Sequence, residues 1–567
     1  MAWYDEAVLY HIYPLGLADA PKQNDYGEPV HRLQNLHPWI DHIKDLGCNT
    51  LYIGPLFESV GHGYETTDYK KLDSRLGDNQ DLKDFVAACH AKGIHVIFDG
   101  VFNHTGRDFF AFRDIQEKRQ GSPYKDWYCN VNFWGNNEYN DGFSYDNWGG
   151  YNLLVKLNQR NPEVQNYIRD VIHFWVDEFD VDGIRLDAAD VLDFDFMKML
   201  RQTADEVKPE FWLMGEVIHG DYIRWVNEWT LHSVTNYHLH KALFSGHNDH
   251  NYFEIAHTVK RLYDMGGCNT NRFKLYNFVD NHDVERIHTK LNNKAHFIPA
   301  HVLLYTLPGI PGLYYGSEFG IEGRKENFSD DSLRPALRYE DFRGAISSNP
   351  LTAAIAKLGR ARQQSKALNY GDYRELQLMN RQYAFSRNFE GESVVVTVNN
   401  DDNDYTMTVP CGNGGEYVGV LSGRKVQADN GHITVSIPAN SGEVWMPADI
   451  WDESRVPEFT PVEAAPEMPE EVSSPAEEPE AAAEMPTAAA EESAPEAAPP
   501  AAAQTPDVLS GTSPELAQAF ESGRIAGLQE AIIAIMEKYG PVTDQMRKDV
   551  TDNVYHDSLI TWVKSFQ

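Results

Sequence analysis

The sequence predicts an α/β protein whose main body is a (β/α)8 TIM barrel. An inserted lid domain follows strand 3, and a C-terminal antiparallel β-sandwich, a disordered linker and a small helical appendix come after the barrel. Two observations carry the barrel. Short, continuously apolar runs alternate with amphipathic helical patterns from Tyr4 to about Arg362. Polar residues that could do chemistry stand repeatedly at the ends of those runs. Continuous apolar runs fit strands buried on both faces of a parallel sheet, and repeated strand–helix units close such a sheet into a barrel.

The runs are Val8–Tyr13, Thr50–Pro55, His95–Asp99, Gly183–Asp187, Trp212–Glu216, Leu275–Val279 and Pro311–Tyr315, with a weaker one near Ser233–Asn236. The helices between them carry end signals. Asn161-Pro162 supplies an N-cap and an N1 proline, after which Val164, Ile168, Val171, Trp175 and Phe179 fall on one face. Asn79 is the candidate cap of an earlier helix with Leu82, Phe85, Val86 and Cys89 on its apolar side. Gly93 ends that helix.

Between His104 and Asn158 the rhythm stops, and Trp127, Trp134, Tyr139, Phe143, Tyr145, Trp148 and Tyr151 crowd a segment rich in Asn and Gly. A long irregular insertion in a compact domain is functional or disordered, and this one is too aromatic for disorder. Residues 105–158 are therefore read as a lid, with residues 1–104 and 159–370 as the barrel. Alternating runs at Ser393–Val398 and His432–Ile437, parted by Asn, Asp and Gly, read as strands of a sandwich over 371–449. Residues 450–510 turn to Pro, Ala and Glu, a composition that stays solvated and extended. Residues 511–567 return to helical spacing (Leu516, Phe520, Ile525, Leu528, Ile532) and suit a partner or self-association.

Composition excludes several classes of function. The 567 residues exceed what one core holds. A formal net charge of −36 leaves no basic surface for nucleic acid and argues against anionic membranes. The five cysteines, Cys48, Cys89, Cys129, Cys268 and Cys411, are scattered without CxxC spacing, against a disulfide framework or a zinc site. No signal peptide and no transmembrane run is visible, so a cytoplasmic enzyme is expected. Aromatic residues make up 12% of the chain; most must be core, and some could stack on sugars.

In a parallel barrel the C-terminal strand ends share one mouth. Asp99, Asn103 and His104 follow the third strand, Arg185 and Asp187 end the fourth, Glu216 the fifth, and His282 and Asp283 the seventh. Read singly, an Asp after a strand is more often a turn or a cap. Together they make a pattern. Arg185 and Asp187, two apart on a strand, share a face, so the guanidinium should hold Asp187 ionised. Glu216 follows the apolar Trp212-Leu213-Met214 with no adjacent base, so burial should raise its pKa. An ionised nucleophile beside a protonated acid is what retaining glycoside hydrolysis needs. Asp283 would be a third anion, stabilising the cationic sugar ring.

The order of these segments resembles the α-amylase family of glycoside hydrolases, over roughly Tyr4 to Pro447. Asp99-Gly100-Val101-Phe102-Asn103-His104 is similar to the family's first signature and Gly183-Ile184-Arg185-Leu186-Asp187 to the second, which carries the nucleophile. Gly215-Glu216 resembles the third, the acid/base, and Phe278-Val279-Asp280-Asn281-His282-Asp283 the fourth. Gly63–Tyr69 resembles the segment whose tyrosine stacks under the cleaved sugar. Gly316-Ser317-Glu318 is similar to the motif after the last strand. The resemblance implies Asp187, Glu216 and Asp283 as catalytic carboxylates and Tyr64, Asp99, His104, Arg185 and His282 as sugar-binding residues. It implies α-glucan oligosaccharides as substrates, through α-glucosidic, mainly α-1,4, bonds.

Lys156-Leu157-Asn158 resembles the lid motif of neopullulanases and cyclomaltodextrinases, but Leu154-Val155 stand where that group often has Met-Pro. Its N-terminal starch-binding domain has no counterpart before this barrel. Ser329–Pro335 departs from the group's Asp-Pro-Asp-x-Arg-Arg-Pro, which puts chain-length preference in question. No cofactor is required for the chemistry. Asn103 matches a calcium ligand of many family members, while an equal reading has it ordering the loop around His104 and Asp99. Three rivals remain: a metal-dependent hydrolase using the His238-x-His240 pair, a glucan transferase with the same carboxylates, and a non-catalytic glycan-binding scaffold.

Overall fold

The computed structural model describes residues 2–456 except 266–273, 327–328 and 413. Most of the linker expected over 450–510, the appendix expected over 511–567, and Cys268 lie outside the described residues.

Eight parallel strands form the barrel: β1 (Leu9–Ile12), β2 (Thr50–Ile53), β3 (His95–Gly100), β4 (Gly183–Leu186), β5 (Trp212–Gly215), β6 (Ser233–Val234), β7 (Tyr276–Phe278) and β8 (Ile310–Tyr314). Their order is β6-β5-β4-β3-β2-β1-β8-β7. A parallel bridge between Thr235 and Tyr276 joins the two ends and completes the ring. The weak run near Ser233 is thus the sixth strand.

The two faces of these strands bury different things. Leu9, Tyr52, Ile97, Trp212, Met214, Tyr276, Phe278 and Ile310 cluster together, while their neighbours, among them Tyr10, Leu51, Val96, Phe98, Ile184 and Leu213, belong to the large second cluster that also contains the helices. Alternation of side chains along a strand separates the two. The inner series leads upward to polar groups: Asp99 is two residues beyond Ile97, and Glu216 two beyond Met214.

The helix α1 (Asn79–Ala91) is capped by Asp78, not by Asn79: the Asp78 carboxylate accepts from the Gln80 and Asp81 backbones, and Asp81 reciprocates. The Asn79 side chain instead accepts from Leu72 N at 2.8 Å. Both Asp and Asn suit a cap, and reciprocity with Asp81 decides between them. The lid contains a helix, α2 (Phe110–Lys118), and a small sheet in which Tyr151–Lys156 pairs with His104–Thr105 and Asn147–Trp148. The helix α3 (Pro162–Phe179) starts on Asn161, whose side chain accepts from Glu163 N, and buries Val164, Ile168, Val171, Trp175 and Phe179. The His238-x-His240 pair lies on α4 (Tyr237–Asn248). His240 is buried and stacks on Phe278 at 5.0 Å, and burial lowers its pKa to about 3. Two residues apart on a helix do not share a face, so the pair makes no metal site.

After the barrel, six antiparallel strands (Asp372–Leu378, Gln382–Phe389, Glu392–Asn399, Glu416–Gly419, Lys425–Gln427, Ser441–Pro447) and a two-stranded sheet (Tyr405–Pro410, His432–Ile437) enclose Met407, Val409, Ile433, Val435, Ile437 and Trp445. Trp451 is also buried, and a short helical turn, Glu453–Arg455, follows it.

Candidate active site

Register places the first charged pair. Asp99 on β3 lies opposite Arg185 on β4. Arg185 Nη1 donates to Asp99 Oδ1 at 2.9 Å and to Asp187 Oδ1 at 3.0 Å. Its Nη2 lies 2.8 Å from Glu216 Oε2. One buried guanidinium therefore holds three carboxylates, each able to share its planar fork. Gly54, at the end of β2, makes room: a Cβ there would lie 2.3 Å from Asp99 Cβ.

This sharing corrects two expectations. Glu216 does have a base beside it, because strand β5 brings it against Arg185. Nor does Arg185 keep Asp187 low. Burial pushes the Asp187 carboxyl well above the usual range, the Arg185 charge opposes this, and the Glu216, Asp99 and Asp283 charges reinforce it. Sequence spacing showed the Asp187 contact but not the two other claims on the same guanidinium.

Asp99 is buried and its carboxylate is fully engaged: besides Arg185 it accepts from Tyr52 and Tyr64 hydroxyls, each at 3.0 Å. Asp99, expected among the sugar-binding residues, thus joins Arg185 to Tyr52 and Tyr64. The Tyr64 hydroxyl also shares a hydrogen bond with His282 Nε2, and the two rings stack at 5.7 Å. His282 Nε2 lies 3.1 Å from Asp283 Oδ2. Burial raises the Asp283 carboxyl, but His282, Arg334 and Arg185 override it and hold it well below the ordinary value. His104 is buried; its Nε2 lies 3.1 Å from the Tyr64 carbonyl, and burial lowers its pKa to about 3. It braces the Tyr64 backbone as a neutral ring.

Several contributors were not singled out as site residues in the sequence. Arg334 donates to Asp283 and lies over the Tyr13 ring at 4.7 Å. The Tyr237 hydroxyl donates to Glu216 Oε1 at 3.3 Å, and Asn281 Nδ2 donates to Tyr237 at 3.3 Å. Ala188 N donates to Glu216 Oε2 at 3.2 Å from a left-handed backbone, φ 45° and ψ 44°. A non-glycine residue there stores strain, and it directs that N–H at Glu216. A cleft of about 1210 Å³ opens beside these groups, lined by Tyr13, Lys22, His62, Tyr151, Asp330 and Arg334 among others.

The surroundings of Asn103 do not fit a calcium ion. Its Oδ1 accepts from Gln159 Nε2 at 3.3 Å, its carbonyl accepts from Leu157 N at 3.0 Å, and its Nδ2 faces His104 Nδ1 at 3.2 Å. No carboxylate joins this set, whereas calcium takes six to eight oxygens. Among the described residues, the one gathering of His, Cys, Asp or Glu ligand atoms is His31, Asp78 and Asp81, and both of its aspartates cap α1.

A barrel with carboxylates gathered at its C-terminal mouth is the frame of a glycoside hydrolase, and comparison with known proteins agrees. Residues 11–352 match the alpha amylase catalytic domain and residues 371–445 the alpha-amylase C-terminal domain. The chain belongs to the alpha-amylase family of glycoside hydrolases. It is 33% identical to a cyclomaltodextrinase of Thermoanaerobacter pseudethanolicus over 421 residues, 70% of this chain and 71% of that protein. It is 30% identical over 474 residues to neopullulanase 2 of Thermoactinomyces vulgaris, covering 78% of each. A solved cyclomaltodextrinase structure superposes with a TM-score of 0.69 at 25% identity, covering 78% of each chain. No described helix is long and apolar enough to cross a membrane.

Proposed function

We propose that the protein is a retaining hydrolase of α-1,4-glucosidic bonds in maltooligosaccharides and cyclomaltodextrins, with Asp187 as nucleophile, Glu216 as acid/base and Asp283 as the third carboxylate. The observation that carries this reading is Arg185, bonded through its two terminal nitrogens to Asp187 and Glu216. Carboxylates held on one guanidinium favour the separation of a retaining pair, about 5–5.5 Å, over the about 6.5–9.5 Å of an inverting pair. The reactive form carries the pair's proton on Glu216. The ionised Asp187 oxygen attacks the anomeric carbon as that proton passes to the departing glycosidic oxygen. A glycosyl ester forms and the glycosidic bond breaks. Glu216 then takes a proton from water, which attacks the same carbon and releases Asp187. Asp283, ionised and partly exposed, stabilises the cationic ring. The cyclomaltodextrinase and neopullulanase relatives support the substrate class.

The test is the anomer released first from maltotriose, read by proton NMR, with Asp187→Asn as control. The α anomer is expected first; an initial β anomer would overturn retention. Activity in Asp187→Asn would refute the nucleophile. Product sizing on cyclodextrin, pullulan and starch would then rank substrates, and mainly lengthened products would replace hydrolysis by glucan transfer.

A further inference from the structure

In the cleft wall lies a buried guanidinium that the chemistry above does not use. Arg75 follows a hairpin, Phe57–Ser59 and Thr66–Leu72, whose loop carries His62 and Tyr64. Its Nε donates to Asp73 Oδ1 at 2.8 Å, and its Nη2 to Asp73 Oδ2 at 2.8 Å and Ser59 Oγ at 3.0 Å. Its Nη1 reaches three main-chain carbonyls: Gly61 at 2.7 Å, Pro21 at 2.9 Å and Lys22 at 3.3 Å. Arg75, Asp73 and Ser59 are all buried. A carboxylate, a hydroxyl and converging carbonyls are the donor set of a hard cation such as calcium. Here the cation is a side chain.

We propose that Arg75 is the built-in cation of this wall, a positioning residue that ties the Pro21–Lys22 segment to the Gly61–Tyr64 loop and so aims Tyr64 at the sugar site, making the wall independent of metal. Three carbonyls pointing at one spot repel each other and cannot stay desolvated without a positive partner. Without the guanidinium, Gly61 and Lys22 lose their common anchor. The Gly61 end matters most: His62 N and Gly63 N are already tied to the Glu65 carboxylate, and Tyr13 donates to the His62 carbonyl at 2.6 Å. The loop is thus a stiff unit that moves with its anchor, carrying Tyr64 away from Asp99 and His282. Asn24 supports the same cage, donating to the Ser59 carbonyl at 3.0 Å. The proposal rests on the reading of Tyr64 as a sugar-contacting residue.

The experiment uses the full chain and Arg75→Ala. Expected are a lower melting temperature and a kcat/KM on maltotriose reduced about 10- to 100-fold, the range for a displaced supporting group, carried mainly by KM. Millimolar methylguanidinium should restore both quantities, and methylammonium neither, because only the planar fork meets this array of acceptors. EDTA should leave the wild-type melting temperature unchanged. An unaltered kcat/KM, a loss that methylguanidinium leaves unrepaired, or a wild-type melting temperature that EDTA lowers would overturn the proposal. Should Arg75→Ala fail to fold, Arg75→Lys keeps the charge without the fork; a raised KM is expected, and an unchanged one overturns the idea. Rescue of the melt needs no substrate, so it fails separately from the reading of Tyr64, which Tyr64→Ala tests alone.

Discussion

Arg334 Nη2 donates to Asp283 Oδ1 at 2.9 Å, and Arg334 Nε donates to the His282 carbonyl at 3.0 Å. The arginine thus holds both the carboxylate and the backbone that presents it. Arg334→Ala should lower kcat/KM about 10- to 100-fold, the cost of one lost charge-assisted hydrogen bond. It should also move the acid limb of the pH–rate profile upward. The sign follows from the cations around Asp283: they hold its pKa below the ordinary value, so removing one raises it and activity is lost at higher pH. Arg334→Lys keeps the charge but loses the two-point grip, so the limb should move less than the rate falls. Steady-state kinetics across pH 3–7 (a range of about four units below neutrality) checks both.

That contact shows where the sequence runs out. The strand-end residues were legible because alternation on a buried strand fixes which side chains reach the mouth, and Asp187 two positions after Arg185 had to meet it. Asp99 against Arg185 depends on the register of β3 with β4, and Glu216 against Arg185 on β5 with β4; neither is written in local spacing. Arg334 coincides with the last arginine of the related motif in Ser329–Pro335, a segment that otherwise departs from it, but it lies 51 residues from Asp283, so nothing local marks their contact. The sixth strand is only Ser233–Val234 and gave a weak pattern, yet its bridge partner Tyr276 closes the barrel. The helix caps divided in the same way: Asn161 was readable from Pro162, whereas the choice of Asp78 over Asn79 turned on a return bond from Asp81.

The raised pKa of Asp187 has a consequence for stability. A carboxyl whose folded pKa exceeds its unfolded value binds more protons when folded, so its contribution falls as pH rises through that window. The native state carries the full cost above the folded pKa and none below the ordinary value near 3.8. Asp187→Asn should therefore raise the melting temperature at pH 7, and the gain should vanish near pH 3.5, roughly the foot of the aspartate range. Thermal melts at the two pH values decide it; a gain of equal size at both would sink the electrostatic account.

Removing Glu216's charge should act on Asp187 in the opposite sense to removing a cation from Asp283. Glu216 is one of the anions that raise Asp187, so Glu216→Gln should lower the Asp187 pKa toward the ordinary range. The variant should lose acid/base catalysis yet still form the glycosyl ester with activated fluorides, whose leaving group needs no proton. The pH dependence of that ester formation, followed by mass spectrometry, reports Asp187 alone. An apparent pKa at or above that of the wild type would contradict the coupling.

Gly54 tests how tightly the floor of the site is built. Its absent Cβ is what lets the Asp99 Cβ approach. Gly54→Ala should push Asp99 off the Arg185 fork, destabilising the fold by about 1–3 kcal/mol and lowering kcat more than it raises KM. A variant with wild-type kcat and an unchanged melting temperature would show that β2 and β3 part easily.

Gln159 is a buried joint within the barrel, at the point where the lid returns to it. It donates to Asn103 Oδ1 at 3.3 Å and accepts from Asp193 N at 2.7 Å through Oε1. Gln159→Leu removes both partners at once and leaves a buried acceptor and a buried donor unmet, each worth about 1–3 kcal/mol. The melting temperature should fall, and kcat/KM with it, because the strand Tyr151–Lys156 pairs directly with His104–Thr105. Added calcium separates the two accounts of Asn103. If the amide of Gln159 stands where other family members place an ion, removing it without supplying a carboxylate gives no cation site, and millimolar calcium should leave the variant's melting temperature unmoved. A calcium-dependent recovery would mean that Asn103 and its neighbours keep a ligand set that Gln159 merely blocks.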